Sequence, residues 1–115
     1  MKTILIVEDN KQYRELLHDA LKKEGYAVLT AENGNVALDV VREKSLDLIL
    51  LDLLMPELDG VSFYVKLQNV LKKHIPIIVL TNLTDTTAYG VDIKDVIIKA
   101  NTSLQDVVKK IKESL

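Results

Sequence analysis

The chain has 115 residues, 48% of them apolar and 28% charged, and a formal net charge of −2. That is one domain's worth of residues, able to bury roughly two-thirds of the surface an unfolded chain exposes, and the near-balance of charge leaves no footprint for direct nucleic-acid binding. Cysteine is absent, which excludes disulfides, thiolate metal sites and a cysteine nucleophile, and no apolar run approaches the roughly 20 residues of a membrane span.

The first apolar run, Ile4-Leu5-Ile6-Val7, predicts a strand that ends in Glu8-Asp9. The start turns acidic too soon for a signal peptide. Asn10 is read as the cap of a first helix, which the spacing of Tyr13, Leu16, Leu17, Ala20 and Leu21 predicts. Gly25 sits just past its end, where glycine is common. Tyr26-Ala27-Val28-Leu29-Thr30 is a weaker strand, and Val36, Ala37, Val40 and Val41 mark a second helix. Leu48-Ile49-Leu50-Leu51 is a third strand, ending in Asp52. Phe63, Leu67, Val70 and Leu71 mark a third helix, with Gly60 near its start. Ile75 to Leu80 is a fourth strand, ending in Thr81. Threonines and aspartates crowd the stretch before Val96, so at most a short helix is predicted there, near 85–89. Val96-Ile97-Ile98 is a fifth strand, ending in Lys99. Leu104, Val107, Val108 and Ile111 mark a last helix, which Thr102-Ser103-Leu104-Gln105 announces with a hydroxyl three residues before a glutamine.

Short apolar runs without alternation fit strands covered on both faces. Strands alternating with helices imply a parallel sheet, helices on both sides and right-handed crossovers. The expectation is a single α/β domain over residues 1–115, with any output module on another chain.

In such a sheet, ligands sit beyond the carboxyl ends of the strands. The polar residues that end the apolar runs are Glu8, Asp9, Asp52, Thr81 and Lys99. They bring three carboxylates, a hydroxyl and an ammonium to one edge. Carboxylates that close repel each other and lose hydration. A hard divalent cation offsets both costs, and oxygen-only donors favour Mg²⁺ over zinc or copper. Asp52 keeps an oxygen that can attack phosphorus, with Lys99 and Thr81 placed to hold phosphoryl oxygens. Taken singly, Asp9 or Thr81 reads as a turn or cap residue, and Lys99 as a solvated lysine. Asp47, Asp59 and Asp85 read as loop or cap residues. His18 and His74 have no partners at ligand spacing. Tyr64 and Tyr89 fit surface contacts and plain packing equally well.

Five stretches, Ile6-Val7-Glu8-Asp9-Asn10, Leu46 to Asp52, Met55-Pro56-Glu57-Leu58-Asp59-Gly60, Pro76 to Thr81, and Lys99, occur in order at fitting spacing. With them the chain resembles, over its whole length, a receiver domain of bacterial two-component response regulators, of the stand-alone, chemotaxis-regulator-like type. The resemblance implies a flavodoxin-like, doubly wound, five-stranded parallel sheet with strand order 2-1-3-4-5. It implies that Asp52 accepts a phosphoryl group from a phosphohistidine. Mg²⁺ would be bound by Asp9, Asp52 and the backbone carbonyl of Leu54, with Glu8 acting mostly through water. Thr81 and Lys99 would sense and hold the phosphoryl group. The implied partners are a sensor histidine kinase or phosphotransfer protein and a downstream effector protein. Neither nucleic acid nor membrane is an expected partner, and the chain is expected to be a cytoplasmic monomer. It would not be an enzyme in the usual sense, since its chemistry acts on itself.

The sequence departs from the family pattern in several places. Ala100 follows Lys99 where a proline is usual; a cis bond before alanine costs about 3 kcal/mol, so a trans bond is the default. Val96 replaces a usual tyrosine or phenylalanine. The stretch from Thr81 to Lys99 is shorter by about one helical turn, as judged against the family and a 3.6-residue turn. That predicts a short or missing fourth helix and no standard dimer through the face made by that helix, strand 5 and the last helix. Leu54 and Leu83 stand where polar groups can orient an attacking water, and Asn82 narrows the entrance, so a slowly hydrolysing aspartyl phosphate is expected. Other readings are a pseudo-receiver, a binding module that is never phosphorylated, and a phosphatase of the haloacid-dehalogenase type. The latter needs a second aspartate where Leu54 stands. A flavin- or nucleotide-binding module is disfavoured, since none of the four glycines forms a phosphate loop after a strand.

Overall fold

The computed structural model describes residues 1–52, 60–69, 75–81, 93–99 and 102–115. In chain order the elements are β1 (Thr3–Val7), α1 (Lys11–Lys23), β2 (Ala27–Ala31), α2 (Gly34–Glu43), β3 (Leu48–Leu51), α3 (Gly60–Asn69), β4 (Ile77–Thr81), β5 (Ile93–Ile98) and α4 (Leu104–Ser114). The five strands form one sheet in the order β2-β1-β3-β4-β5, and every pairing is parallel. This is the expected α/β architecture. The short helix expected near 85–89 falls outside the described residues, as do Val70 and Leu71 of the third stripe.

The apolar runs are continuous because both faces of the sheet are covered. Leu5 and Val7 of β1, Ile49 and Leu51 of β3, and Ile77 and Val79 of β4 face one core with Ala37, Val41, Phe63 and Leu67 of α2 and α3. Ile4, Ile6, Leu48, Leu50, Ile78 and Leu80 face the other, with Leu17 and Leu21 of α1 and Val107 and Ile111 of α4. Each of the larger side chains, fully buried, contributes roughly 1.5–3 kcal/mol against chain entropy.

Local chemistry fixes where the helices begin and end. Asn10 caps α1, its side-chain oxygen accepting from the Tyr13 N–H at 2.9 Å. Gly25 ends that helix at φ +93. Its N–H donates to the Lys22 carbonyl, and the next N–H, of Tyr26, to the Leu21 carbonyl, the paired closure that a left-handed residue allows. Asn33 caps α2 through the Val36 N–H at 2.9 Å. At α4 the cap is Ser103, not the Thr102–Gln105 pair, because the Ser103 hydroxyl accepts from the Asp106 N–H. Two stripe residues are corrected as well. Leu16 is 55% exposed and Val36 lies at the surface, while Leu38 turns inward beside Ala37. Each lies at the margin of its stripe, where the core curves away.

Candidate functional site

Register carries the chemistry to one edge. Val7 pairs with Leu51, so the next residues, Glu8 and Asp52, leave the sheet side by side. The Asp52 N–H donates to the Val7 carbonyl, and the Glu8 N–H to the Ala31 carbonyl, both at 3.0 Å. Thr81 pairs with Ile98, which puts Lys99 one step beyond the end of β5. The β4–β5 register shifts after Ile77, and that shift sets which β5 residue ends level with Thr81. Of Thr81 itself only this backbone place is described.

Glu8, Asp9 and Asp52 each present an oxygen, and these atoms lie within 4.8 Å of one another. Glu8 is fully buried, Asp52 is 5% exposed and Asp9 is exposed. Lys99 crosses from the far side. Its ammonium donates a charge-assisted hydrogen bond to Glu8 Oε1 across 91 positions of sequence and lies 3.5 Å from Asp52 Oδ2. The Asn10 N–H donates to the other Glu8 oxygen at 3.1 Å. The Lys99 ammonium also stands 4.7 Å from the centre of the Tyr13 ring. Leu54, Asn82, Leu83 and Ala100, for which the family resemblance implies a ligand carbonyl, a narrowed entrance, exclusion of water and an altered loop, lie outside the described residues.

Burial pushes the Glu8 carboxyl above its ordinary range; Lys99 pulls it back and the neighbouring Asp52 pushes it up again. Burial, then Glu8, raises Asp9. Burial works against the Lys99 ammonium, but Glu8 and Asp52 outweigh it and hold its pKa above the ordinary value. One ammonium therefore faces three acids. Their donors are all oxygens, the set a hard cation takes. Adjacent oxygens around octahedral Mg²⁺ lie about 3 Å apart, so the carboxylates would draw together on binding it.

Arg14 joins the site with no motif to mark it. Its guanidinium donates to the Glu8 carbonyl at 2.8 Å and to the Asp9 carbonyl at 3.4 Å, tying the acidic loop to α1. A cation in the first turns of a helix, where the dipole disfavours it, was the available signal. Asp47 proves more than a loop residue: its carboxylate accepts from the Thr3 N–H at 2.8 Å, clamping β1 at the opposite edge. His18 is at the surface beside Asp19, away from the acids. Among the described residues no helix is long and apolar enough to cross a membrane.

Set against known proteins, residues 4–112 match the family model of the response regulator receiver domain. The chain is 41% identical over 87 residues to the sporulation initiation phosphotransferase F of Bacillus subtilis, a match covering 76% of this chain and 64% of that protein. It is 46% identical over 83 residues to the probable transcriptional regulator ycf27 of Cyanidium caldarium, covering 71% of this chain and 32% of that one. The match thus spans less than two-thirds of either relative. Among solved structures, response regulator TrrA of Thermotoga maritima, crystallised in complex with Mg²⁺ and BeF, is similar over the whole of both chains, with 32% identity and a TM-score of 0.86.

Proposed function

The chain belongs to the response regulator receiver family, and from that premise we propose that it accepts a phosphoryl group on Asp52 from a phosphohistidine and thereby changes its affinity for a partner protein. The observation that carries this reading is the meeting of Glu8, Asp9 and Asp52 with the Lys99 ammonium at one sheet edge. An Asp52 oxygen attacks phosphorus, the P–N bond of the donor breaks, and the imidazole leaves with the electron pair. Bound Mg²⁺ would supply charge neutralisation between the carboxylates and the phosphoryl oxygens. Asp9, Asp52 and the Leu54 carbonyl would hold it, with Glu8 through water. Lys99 exchanges its carboxylate partners for a phosphoryl oxygen, and the Thr81 hydroxyl donates to another. The nearly complete burial of Asp52 limits the approach of water, and with leucines at 54 and 83 the acyl phosphate lasts minutes rather than seconds. The chemistry acts on the chain itself, once per phosphoryl group received. The donor is a sensor histidine kinase or a phosphotransfer protein. The acceptor of the signal is an effector that binds the two states unequally, since equal binding shifts nothing.

Beryllofluoride with Mg²⁺ is the direct test, read by amide NMR in the wild type and in Asp52→Asn. Shifts at Thr81 and Lys99 in the wild type alone are the expected result. The pseudo-receiver reading is favoured by Val96, which leaves β5 without the family's usual aromatic side chain. It predicts identical spectra with and without the mimic.

A further inference from the structure

Tyr13 belongs to the apolar stripe of α1, yet only part of it behaves as core. The residue is half-buried and packs against the cluster beneath α1 and α4. Its ring faces the opposite way as well, standing 4.7 Å from the Lys99 ammonium, within the distance at which an aromatic face attracts a cation. The backbone beneath it is fixed, because the Tyr13 N–H donates to the Asn10 cap at 2.9 Å. The next residue, Arg14, is bonded to the carbonyls of Glu8 and Asp9. The ring is therefore tied to the same loop as the acids while touching the cation that faces them. Lysine is a flexible stem that prefers to carry its charge into water. Here the Lys99 side chain is only 16% exposed. Glu8 and Asp52 draw its ammonium inward, and the ring covers a further side.

We infer that Tyr13 is a positioning residue: its ring face confines the Lys99 ammonium to the rim of the acidic cluster, where a phosphoryl oxygen on Asp52 would meet it. The inference rests on the phosphoryl-accepting reading above and adds to it a side chain outside the motifs that led to that reading. Tyr13 offers nothing to the metal and does not touch the reacting atoms. Its contribution is to narrow the positions the ammonium samples, so that less freedom is lost when a phosphoryl group arrives. The ring does this rather than the hydroxyl, so phenylalanine should serve as well as tyrosine, and leucine, apolar and of helical propensity, should not.

Three proteins test it: the wild type, Tyr13→Phe and Tyr13→Leu. In metal-free protein, ring current should displace the Lys99 ammonium and ε-methylene resonances in the wild type and in Tyr13→Phe, and the displacement should vanish in Tyr13→Leu. With Mg²⁺ present, Tyr13→Leu should bind beryllofluoride roughly three- to tenfold more weakly, the range an aromatic–cation contact supplies, and Tyr13→Phe should match the wild type. Affinity for Mg²⁺ alone should not weaken in either variant. Equal beryllofluoride affinity in all three proteins overturns the inference, as does an equal loss in Phe and Leu. Weaker Mg²⁺ binding in Tyr13→Leu also overturns it, because the residue would then be shaping the acidic loop. A wild type that binds no beryllofluoride defeats the functional reading instead, and the metal-free resonances still decide whether the ring holds the amine.

Discussion

The two edges of the sheet use the same chemical group in opposite ways. At the edge where the strands begin, the Asp47 carboxylate accepts from the Thr3 N–H at 2.8 Å and joins the start of β3 to the start of β1. At the edge where they end, Glu8, Asp9 and Asp52 crowd together with one ammonium between them. The first arrangement stabilises the fold outright. The second leaves burial and like charge only partly compensated, so that Glu8 and Asp9 hold their protons more tightly than free carboxyls do. The difference teaches where this chain spends stability: the closed edge holds the sheet together, and the open edge keeps an unmet demand for positive charge.

The strongest way to sharpen that contrast is Lys99→Met. Removing one partner of a buried ion pair leaves the other uncompensated, and urea unfolding without metal should show a loss of about 3 kcal/mol. Mg²⁺ should restore part of it. Asp47→Ala should cost less, about 1.5 kcal/mol, through the orphaned Thr3 N–H, and Mg²⁺ should not repair it. An Asp47→Ala loss that metal recovers would erase the distinction between the edges. Asp52→Asn should go the other way, stabilising the metal-free chain by about 1 kcal/mol as a like charge leaves Glu8. No gain would mean that Lys99 already neutralises the cluster.

The smallest effect is on pH. Glu8 and Asp9 have folded pKa values above their ordinary 4.5 and 3.8, so in the folded state their charged forms cost stability above the folded values. That cost is relieved as pH falls through those values toward the ordinary ones. Without metal, the melting temperature should therefore rise as pH falls from neutrality toward the ordinary carboxyl values, and saturating Mg²⁺ should flatten the rise. Lys99 acts at the other end. Its stabilising contribution is complete below 10.5 and is lost as pH climbs through its raised folded value.

Most of this architecture was legible because a strand covered on both faces leaves a mark no other element leaves here. Leu48–Leu51 is buried at every position, and the run appears in the sequence without a polar interruption. The site was legible for a related reason. A parallel sheet puts every strand's last residue at one edge, so finding where the apolar runs stop finds Glu8, Asp52 and Lys99 together. What periodicity hides is a residue with two neighbours. Tyr13 reads as core because one face of its ring is core, and nothing along the chain announces the ammonium on the other, which arrives from 86 residues away. Leu16 falls outside the core because spacing gives a stripe's direction but not its width. The cap of α4 was displaced by one residue because Thr102 and Ser103 carry the same hydroxyl, and only backbone geometry chooses between them.

The pairing of Glu8 with Lys99 joins the loop after the first strand to the end of the last. The electrostatic balance of the acids cannot be reached until β5 has docked on β4 and the sheet is closed. A chain still emerging from the ribosome, or one whose final strand has peeled away, carries its acids without their counter-charge. The counter-charge is thereby a mark of the completed sheet, delivered only by its last strand.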